Sequence, residues 1–499
     1  MGSGSQLDVT HSLTLDPTDK RYKLGQFLTP ETIANFLASL FDARWEELDL
    51  LDAGAGTGAL SAALVKRLGA SSYRPKRISV TAYELDEPLI EPLRATLLAC
   101  QHECEGAGIR FSAAVFNEDF IAAAVPMVRS DLFGSHKPRF NAAIVNPPYR
   151  KIRSDSTTRL LLRSAGIETS NLYTGFVALI TKLLADEGEL VAITPRSFCN
   201  GPYFKPFRID FLKTMSLRRL HLFESRSAAF GSDDVLQENI IVHAVKEAAK
   251  LEHVTISSSA GSPNSPVVER EVAYNEVVSP TDLEQFIHLV GDDRQSDARS
   301  IMNRLSASLL QLGLSVSTGR VVDFRAEEYL RQQPGRDTVP LIYPCHFNGG
   351  FVHWPKEKVR KPNAIVNNAQ TRELLVPGGI YVLVKRFTAK EERKRVVACI
   401  YNSDQIQTRL VGFENHLNYF HANGHGLPMN LAKGLAAFLN STVVDVYFRQ
   451  FSGHTQVNAT DLRSLKYPAK SELERLGRVI VDPGMRQEEL DALVEEELF

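Results

Sequence analysis

The tetrapeptide Asn146-Pro147-Pro148-Tyr149 closes the apolar run FNAAIV at 140–145. It gathers a side-chain amide oxygen, a carbonyl stiffened by two proline rings and an aromatic face into four residues. Such a set could accept hydrogens from a polar nitrogen and lie against a planar ring. The same residues also describe a plain turn, because proline cannot donate to a sheet ladder and asparagine favours turns. The rest of the chain has to decide between the two.

A second cluster lies upstream. In LDLLDAGAGTGAL, Gly54, Gly56 and Gly58 stand between an apolar run and a helical pattern. Glycines there let a ligand lie against bare backbone, with free N–H groups at the helix start. Gly54, Gly56 and Ala59 also satisfy the G-x-G-x-x-G/A dinucleotide pattern, so NAD binding stays open, as does a tight turn with no ligand. Glu84 follows Gly54 by thirty residues, whereas the dinucleotide pattern places its acid about twenty on. A carboxylate at 84 can accept both ribose hydroxyls of an adenosine ligand. In FNEDF, Asp119 could accept an adenine amino proton and Phe120 could lie on the ring face.

These residues need a scaffold that brings loop ends together. LDLLDA (48–53), ISVTAYE (78–84), IRFSAAVF (109–116), FNAAIV (140–145) and ELVAIT (189–194) are short apolar runs suited to strands buried on both faces. They alternate with helical stretches such as ALSAALVKRLG and LYTGFVALITKLLADEG. The pattern predicts an α/β fold with a parallel sheet whose carboxyl ends collect the three loops in one crevice. LRRLHLFE (217–224) and NIIVHAV (239–245) are predicted to close the sheet as an antiparallel pair. SSSAGSPNSP (257–266) is the best linker candidate. The predicted organisation is a domain at 1–250, a linker at 251–266 and a mixed α+β domain at 267–499. That last part holds strand-like runs (PLIYPCHF, IYVLVKRF, RVVACIYN) and a helical stretch, MNLAKGLAAFLNSTVVDVYF.

Composition sets outer bounds. At 499 residues, 43% hydrophobic and 23% charged, the chain is long enough for two cores and has the balance of a soluble globular protein. No apolar run is long enough to span a bilayer, and MGSGSQLDVTHS lacks the parts of a signal peptide, which predicts a cytoplasmic protein without a membrane partner. Five scattered cysteines with no CxxC pair argue against a disulfide framework or zinc ribbon and read as reduced core thiols. The net charge of −2 does not exclude a basic face for nucleic acid.

Taken in order, GQFLTP, DAGAGTG, YELDE, NEDF and NPPY resemble the S-adenosylmethionine-dependent DNA methyltransferases, specifically the TaqI-like gamma group of adenine-N6 enzymes. Two further stretches, VSTGRVVDFR (316–325) and FSGHTQVNATDLRSLKYP (451–468), resemble PstI/BsuBI-type modification enzymes. The resemblance implies a class I (Rossmann-like) methyltransferase sheet with an antiparallel closing hairpin, followed by a C-terminal mixed α+β target recognition domain. It implies S-adenosyl-L-methionine as cofactor, double-stranded DNA as partner and a cognate restriction endonuclease encoded separately. Cofactor contacts then fall on Thr29, Pro30, Asp52, Gly54, Gly56, Gly58, Glu84, Asp119 and Phe120. Within GQFLTPETIANFLASLF (25–41), Thr29 is predicted as helix cap and Pro30 as the first helical residue.

On that resemblance the Asn146 side-chain oxygen and the Pro147 carbonyl each accept a hydrogen from adenine N6. This draws the nitrogen lone pair out of conjugation, and preorganised acceptors of this kind are a large catalytic term. The base must leave the duplex, so stacking rings have to offset the cost of unstacking. Tyr149 supplies one ring. Phe204 is the predicted second, with Tyr203 close behind, and core aromatics at a helix start are the competing reading.

Other clusters are less specific. Arg150, Lys151 and Arg153, and the basic run KRFTAKEERKR (385–395), suit phosphate or a solvated face. STGRVVDFR and GHTQVNATDLR suit groove contacts or turns. His416, His421 and His425 lack a carboxylate or thiol at ligand spacing, so no metal is predicted. Protein-glutamine or RNA methylation, cytosine-N4 transfer and a non-catalytic DNA-binding subunit remain as alternatives.

Overall fold

Strand formation in the first part of the chain follows the apolar runs. In the computed structural model, residues 29–129, 140–223, 238–247, 249–260, 266–388, 392–452, 456–481 and 484–499 are described. The chain divides into two compact units, the first ending at Thr281 and the second starting at Asp282.

The first unit is built on β1 (Glu47–Ala53), β2 (Arg77–Tyr83), β3 (Arg110–Phe116), β4 (Phe140–Val145) and β5 (Leu184–Pro195). All are parallel, with Leu50 opposite Val80 and Ala142. Helices α1 (Glu31–Ser39), α2 (Ala59–Ala70), α3 (Ile90–Gly106), α4 (Phe120–Arg129), α5 (Thr157–Ser164), α6 (Leu172–Leu183) and α7 (Lys205–Thr214) accompany them. Leu64, Leu68, Leu93 and Leu97 of α2 and α3 share one core with Leu50, Val80 and Ile144. Each such leucine contributes about 2 kcal/mol by leaving water.

The sheet continues through β6 (Met215–Phe223), β7 (Asn239–Lys246), β8 (His253–Ser259) and β9 (Val268–Ala273), in the order β3-β2-β1-β4-β5-β7-β6-β8-β9. β7 runs antiparallel to both β5 and β6, as the predicted closing pair requires. This is the class I methyltransferase sheet. The order reverses between β1 and β4, the topological switch point where ligands of open α/β sheets bind.

Two expectations are corrected here. The predicted linker at 251–266 carries β8, paired to β6 and β9, and its residues 261–265 lie outside the described residues. The sheet outlasts the Ser-rich signal because a half-exposed strand such as HVTISSS alternates polar and apolar positions and looks like loop. β3, predicted as buried on both faces, is the sheet edge and is largely exposed. The helical stretch from Met429 forms two helices that part at Asn440, where Ser441 accepts a hydrogen bond from Val444 N and starts the second.

The second unit contains β10 (Ser315–Thr318), β11 (Leu330–Arg331), β12 (Thr338–Ile342), β13 (Phe347–Asn348), β14 (Phe351–Val352) and β15 (Ala364–Val366). These are followed by β16 (Leu375–Pro377), β17 (Ile380–Lys385), β18 (Ala398–Asn402), β19 (Leu410–Phe413) and β20 (Leu417–His421). They form a six-stranded sheet, β10-β20-β17-β18-β14-β13, and a five-stranded one, β11-β15-β12-β19-β16. Leu431, Leu435, Phe438 and Phe448 from the two helices after Met429 bury against Val382, Ile400 and Phe420.

Candidate active site

The switch point fixes what the two central strands present. β1 ends in Asp52 and Ala53, and the chain then turns through Gly54, Gly56 and Gly58, all at positive φ, into α2. A Cβ at Gly58 would stand 2.9 Å from Leu93 Cδ1, so this corner suits glycine twice over. The loop is tied to the end of β2: Gly54 N and Ala55 N both donate to Tyr83 O at 2.9 Å. Gly56 N donates to Glu84 Oε2 at 2.8 Å, and Asp86 N donates to Glu84 Oε1 at 2.8 Å. Glu84 is therefore held at both oxygens, yet it still lines the cavity.

Asp52 lies fully buried beneath this loop. Its Oδ2 accepts from the Ser61 hydroxyl at 2.6 Å, while Oδ1 has no hydrogen-bond partner among the described residues. Burial, with help from the Glu84 charge and against the Ser61 bond, pushes the carboxyl from an ordinary 3.8 up to about 7.

β4 ends in the tetrapeptide. Asn146 Nδ2 donates to Thr29 Oγ1 at 3.0 Å, and the Tyr149 hydroxyl stands 2.9 Å from Asn146 Oδ1 and 3.1 Å from Ile193 O. The amide plane is thus fixed at both ends. Burial raises the Tyr149 phenol far above its ordinary range, which keeps the hydroxyl a donor. The Tyr149 ring meets Tyr173 edge-on at 6.2 Å, and Pro147 is buried.

A cavity of about 260 Å³ opens beside these groups. Its lining includes Gly54, Glu84, Glu118, Asp119, Phe120 and Phe176, with Leu85, Leu89 and Ile121 supplying apolar surface. Asn146, Pro148 and the stretch after it, Arg150, Lys151, Ile152 and Arg153, line it as well. Asp119 Oδ1 accepts from Ile121 N at 2.8 Å and so also starts α4, while Phe120 packs on Tyr83 and Phe176 at 5.4 and 5.1 Å. An acid-rimmed apolar slot of this kind suits a flat, amine-bearing heterocycle and a neighbouring cation.

Comparison with known proteins decides the family. A family model described as Eco57I restriction-modification methylase matches residues 98–230. The type II methyltransferase M.PstI of Providencia stuartii is 44% identical over 485 residues, covering 97% of this chain and 94% of its own length. M.BsuBI of Bacillus subtilis is 44% identical over 493 residues, 98% of this chain and 96% of its own. The chain belongs to the type II methyltransferases. Among solved structures, the type IIG restriction endonuclease BpuSI aligns at 14% identity and a TM-score of 0.45, over 95% of this chain and 63% of that protein.

Within this type II methyltransferase the sequence-predicted residues divide. Gly54, Glu84, Asp119, Phe120 and Asn146 line one cavity. Thr29 is not a helix cap: α1 starts at Glu31 with Pro30 at the cap position and no side-chain cap, and the Thr29 hydroxyl is on Asn146 instead. Gly25–Leu28 of the predicted N-terminal segment lie outside the described residues, as do Gly453–Thr455 of the C-terminal motif. Of the two candidate second rings, Phe204 is only 5% exposed and packs on Tyr173 at 5.6 Å, whereas Tyr203 is 78% exposed. Phe204 starts α7, and its ring joins Tyr173 in the core. Two of the three histidines have separate side-chain partners: His416 pairs with Glu414, and His421 bonds Ser317 and Gly424 N. Sequence reasoning missed Ser61 and Phe176. Both sit inside helical stretches where a polar or aromatic residue looks like ordinary packing.

Proposed function

We propose that this chain methylates N6 of a flipped-out adenine in duplex DNA at a specific site, within a restriction–modification system, using S-adenosyl-L-methionine. The observation that carries the reading is the Asn146 amide, fixed by Thr29 and Tyr149 at the rim of the cavity that holds Gly54, Glu84, Asp119 and Phe120. The fit to the cofactor rests on Asp52 and the slot. A buried carboxylate with an unpartnered oxygen beneath a glycine loop is stabilised by a nearby cation, and an apolar slot rimmed by acids suits adenine and ribose. Asp52, Gly54, Gly56, Gly58, Glu84, Asp119 and Phe120 would hold the cofactor, with Thr29 and Pro30 at its edge. When bound it supplies an activated methyl on a sulfonium.

The chain's own residues prepare the nucleophile. With Asn146 Nδ2 committed to Thr29, the amide presents its oxygen on the opposite side. That oxygen has two lone pairs, so one N6 hydrogen can be accepted beside the Tyr149 hydroxyl, which has Ile193 O as a second acceptor within reach. The Pro147 carbonyl takes the other N6 hydrogen. Together they turn the nitrogen toward tetrahedral geometry without a strong base, and preorganisation does most of the work. Tyr149 stacks on the extruded base, and exposed Tyr203 replaces Phe204 as the second ring.

The first unit carries catalysis and the second carries target recognition. A separately encoded endonuclease would cut unmodified sites, and the chain works in the cytoplasm; among the described residues no helix is long and apolar enough to cross a membrane. Incubation with cofactor and duplex DNA, followed by base-resolution mapping, tests the reading. Methyl on adenine N6 at one sequence supports it; methyl on cytosine N4, or on protein or RNA only, overturns it. N146A should lose methylation by several orders of magnitude while cofactor affinity stays within a few-fold.

A further inference from the structure

The second unit holds a built surface that the chemistry above does not use. Three stretches far apart in the chain meet at one end of its sheets. The turn after β10 crosses the turn between β19 and β20 so closely that a Cβ on Gly319 would stand 2.1 Å from Glu414 O. Backbone bonds lace the crossing: Gly319 N to Leu417 O, Val321 N to Phe413 O and Asn415 N to Val321 O. The end of β17 joins them, with Arg386 N donating to His416 O and Val457 N to Arg386 O. Arg320, Arg386, Phe387 and His416 therefore stand on one hydrogen-bonded rim.

Its side chains are held in place. Glu414 is 0% exposed, and its carboxylate oxygens take His416 N at 3.0 Å and the His416 ring at Nδ1. The His416 side chain is itself 45% exposed. The bond to Glu414 occupies Nδ1 and leaves Nε2 as the ring nitrogen for another partner. Arg386 anchors Nη1 on Asn415 O at 3.1 Å. The rest of its five N–H donors stay uncommitted among the described residues. Phe387 is 42% exposed, with His416 at 4.7 Å on one side and the Arg386 guanidinium 5.7 Å from its centroid. Burying a carboxylate to hold a turn N–H and orient a half-exposed imidazole costs stability, and the fold gains no core from it.

We propose that the rim of Arg386, Phe387 and His416 reads base edges of the target duplex. The inference rests on the DNA reading above and names the recognising residues. Phosphates are bound adequately by mobile surface lysines, whereas base edges need donors and acceptors at fixed positions. Arg386 offers a fork suited to guanine O6 and N7. His416 Nε2 can accept from an adenine or cytosine amino group, and Phe387 gives the apolar contact that a thymine methyl or an unstacked base requires.

The test uses the full chain, the mapped target duplex and duplexes with one base pair changed. R386A and H416A should each lose roughly ten-fold or more in discrimination between cognate and changed duplexes. Cofactor affinity should match the wild type in both, and thermal unfolding should match it in R386A, whereas H416A leaves buried Glu414 without its imidazole and should unfold at a lower temperature. R386K keeps the charge but not the fork, so it should lose discrimination as R386A does, and it serves in place of R386A if that variant unfolds. E414Q should weaken discrimination in the same direction as H416A, through His416. Discrimination unchanged in both R386A and H416A, or a uniform loss on every duplex with a reduced salt slope, would overturn the proposal. The catalytic reading is separate, since N146A would still abolish methylation in that case, and a wild type inactive on all DNA would refute that reading instead.

Discussion

Asp52 gives the sharpest test of how the glycine loop is built. Its carboxyl is buried with one oxygen unpartnered and is raised from 3.8 to about 7. Between those values the native chain keeps a proton that the unfolded chain has released, so unfolding free energy falls as pH rises. Below the lower value both states are protonated, and above the upper value both are ionised, so the contribution is flat outside the window. The whole penalty is on the order of 4 kcal/mol, and the part between pH 5 and neutrality is roughly 3 kcal/mol. D52N removes the titration while keeping the shape. Its buried amide leaves a donor unpaired at a constant cost of about 1–3 kcal/mol, so the informative quantity is the difference in pH slope, not absolute stability. The chain has two tryptophans. Trp45, edge-on to Phe41, reports on the first unit once Trp354 is replaced by Phe. Urea unfolding at pH 5 and pH 8 should show wild type losing roughly 3 kcal/mol relative to D52N. Parallel behaviour of the two proteins would refute the buried, ionisation-opposed carboxyl. A bound sulfonium cofactor should shrink the slope in wild type alone.

Four further outcomes follow from the site. T29V removes the hydroxyl on Asn146 Nδ2; loss of about 1 kcal/mol, roughly five-fold in kcat with cofactor Kd unchanged and rescue by T29S, marks a positioning role. A raised cofactor Kd at unchanged kcat would instead place Thr29 on the cofactor. Y149F keeps the ring and deletes the bonds to Asn146 and Ile193, so kcat should fall about five- to ten-fold while DNA affinity holds; an unchanged kcat would dismiss the hydroxyl. F204A empties core space beside Tyr173 and should cost about 3–5 kcal/mol of stability, seen as a lowered Tm. Y203A should leave Tm unchanged and weaken binding of duplexes with a flippable adenine, measured by 2-aminopurine fluorescence at the target position; a normal signal would remove Tyr203 from the stack.

What the sequence revealed follows from how locally each feature is determined. Parallel strands buried on both faces are continuous apolar runs, and the glycine turn and proline loop at their ends are fixed by backbone conformation, so β1, β4 and their loops were legible. β3 has the same apolar run but no strand beyond it, and edge position is a property of the sheet, not of RFSAAVF. Phe204 and Tyr203 are adjacent in sequence, and which ring enters the core depends on how α7 meets Tyr173. The break at Asn440–Ser441 did carry a local signal, a capping serine, hidden inside an apolar stretch. The second unit was least legible because its strands run from two to six residues and pair across long separations, such as β10 with β20.

Buried charge separates structural from functional positions here. Glu189 on β5 takes His243 of β7 at 2.9 Å, and Arg196 and Glu238, just beyond the same two strands, pair at 3.1 Å. Both pairs lie across the antiparallel junction that closes the sheet, and each group has a hydrogen-bonding partner that is equally buried. Such pairs specify which strands meet even where they add little stability. Asp52 and Glu414 differ. Asp52 faces Ser61 and, among the described residues, no opposite charge, and Glu414 has the His416 backbone N–H and an imidazole that is itself half-exposed. Neither carboxylate joins strands of a sheet, and burial opposes the ionisation of both. A cost left uncompensated within the fold is reasonable where a ligand completes the site, and these two acids lie beneath the glycine loop of the first unit and behind the rim of the second. If D52N removed the pH slope and E414Q left discrimination intact, the first would keep its assignment to ligand binding and the second would revert to a packing role.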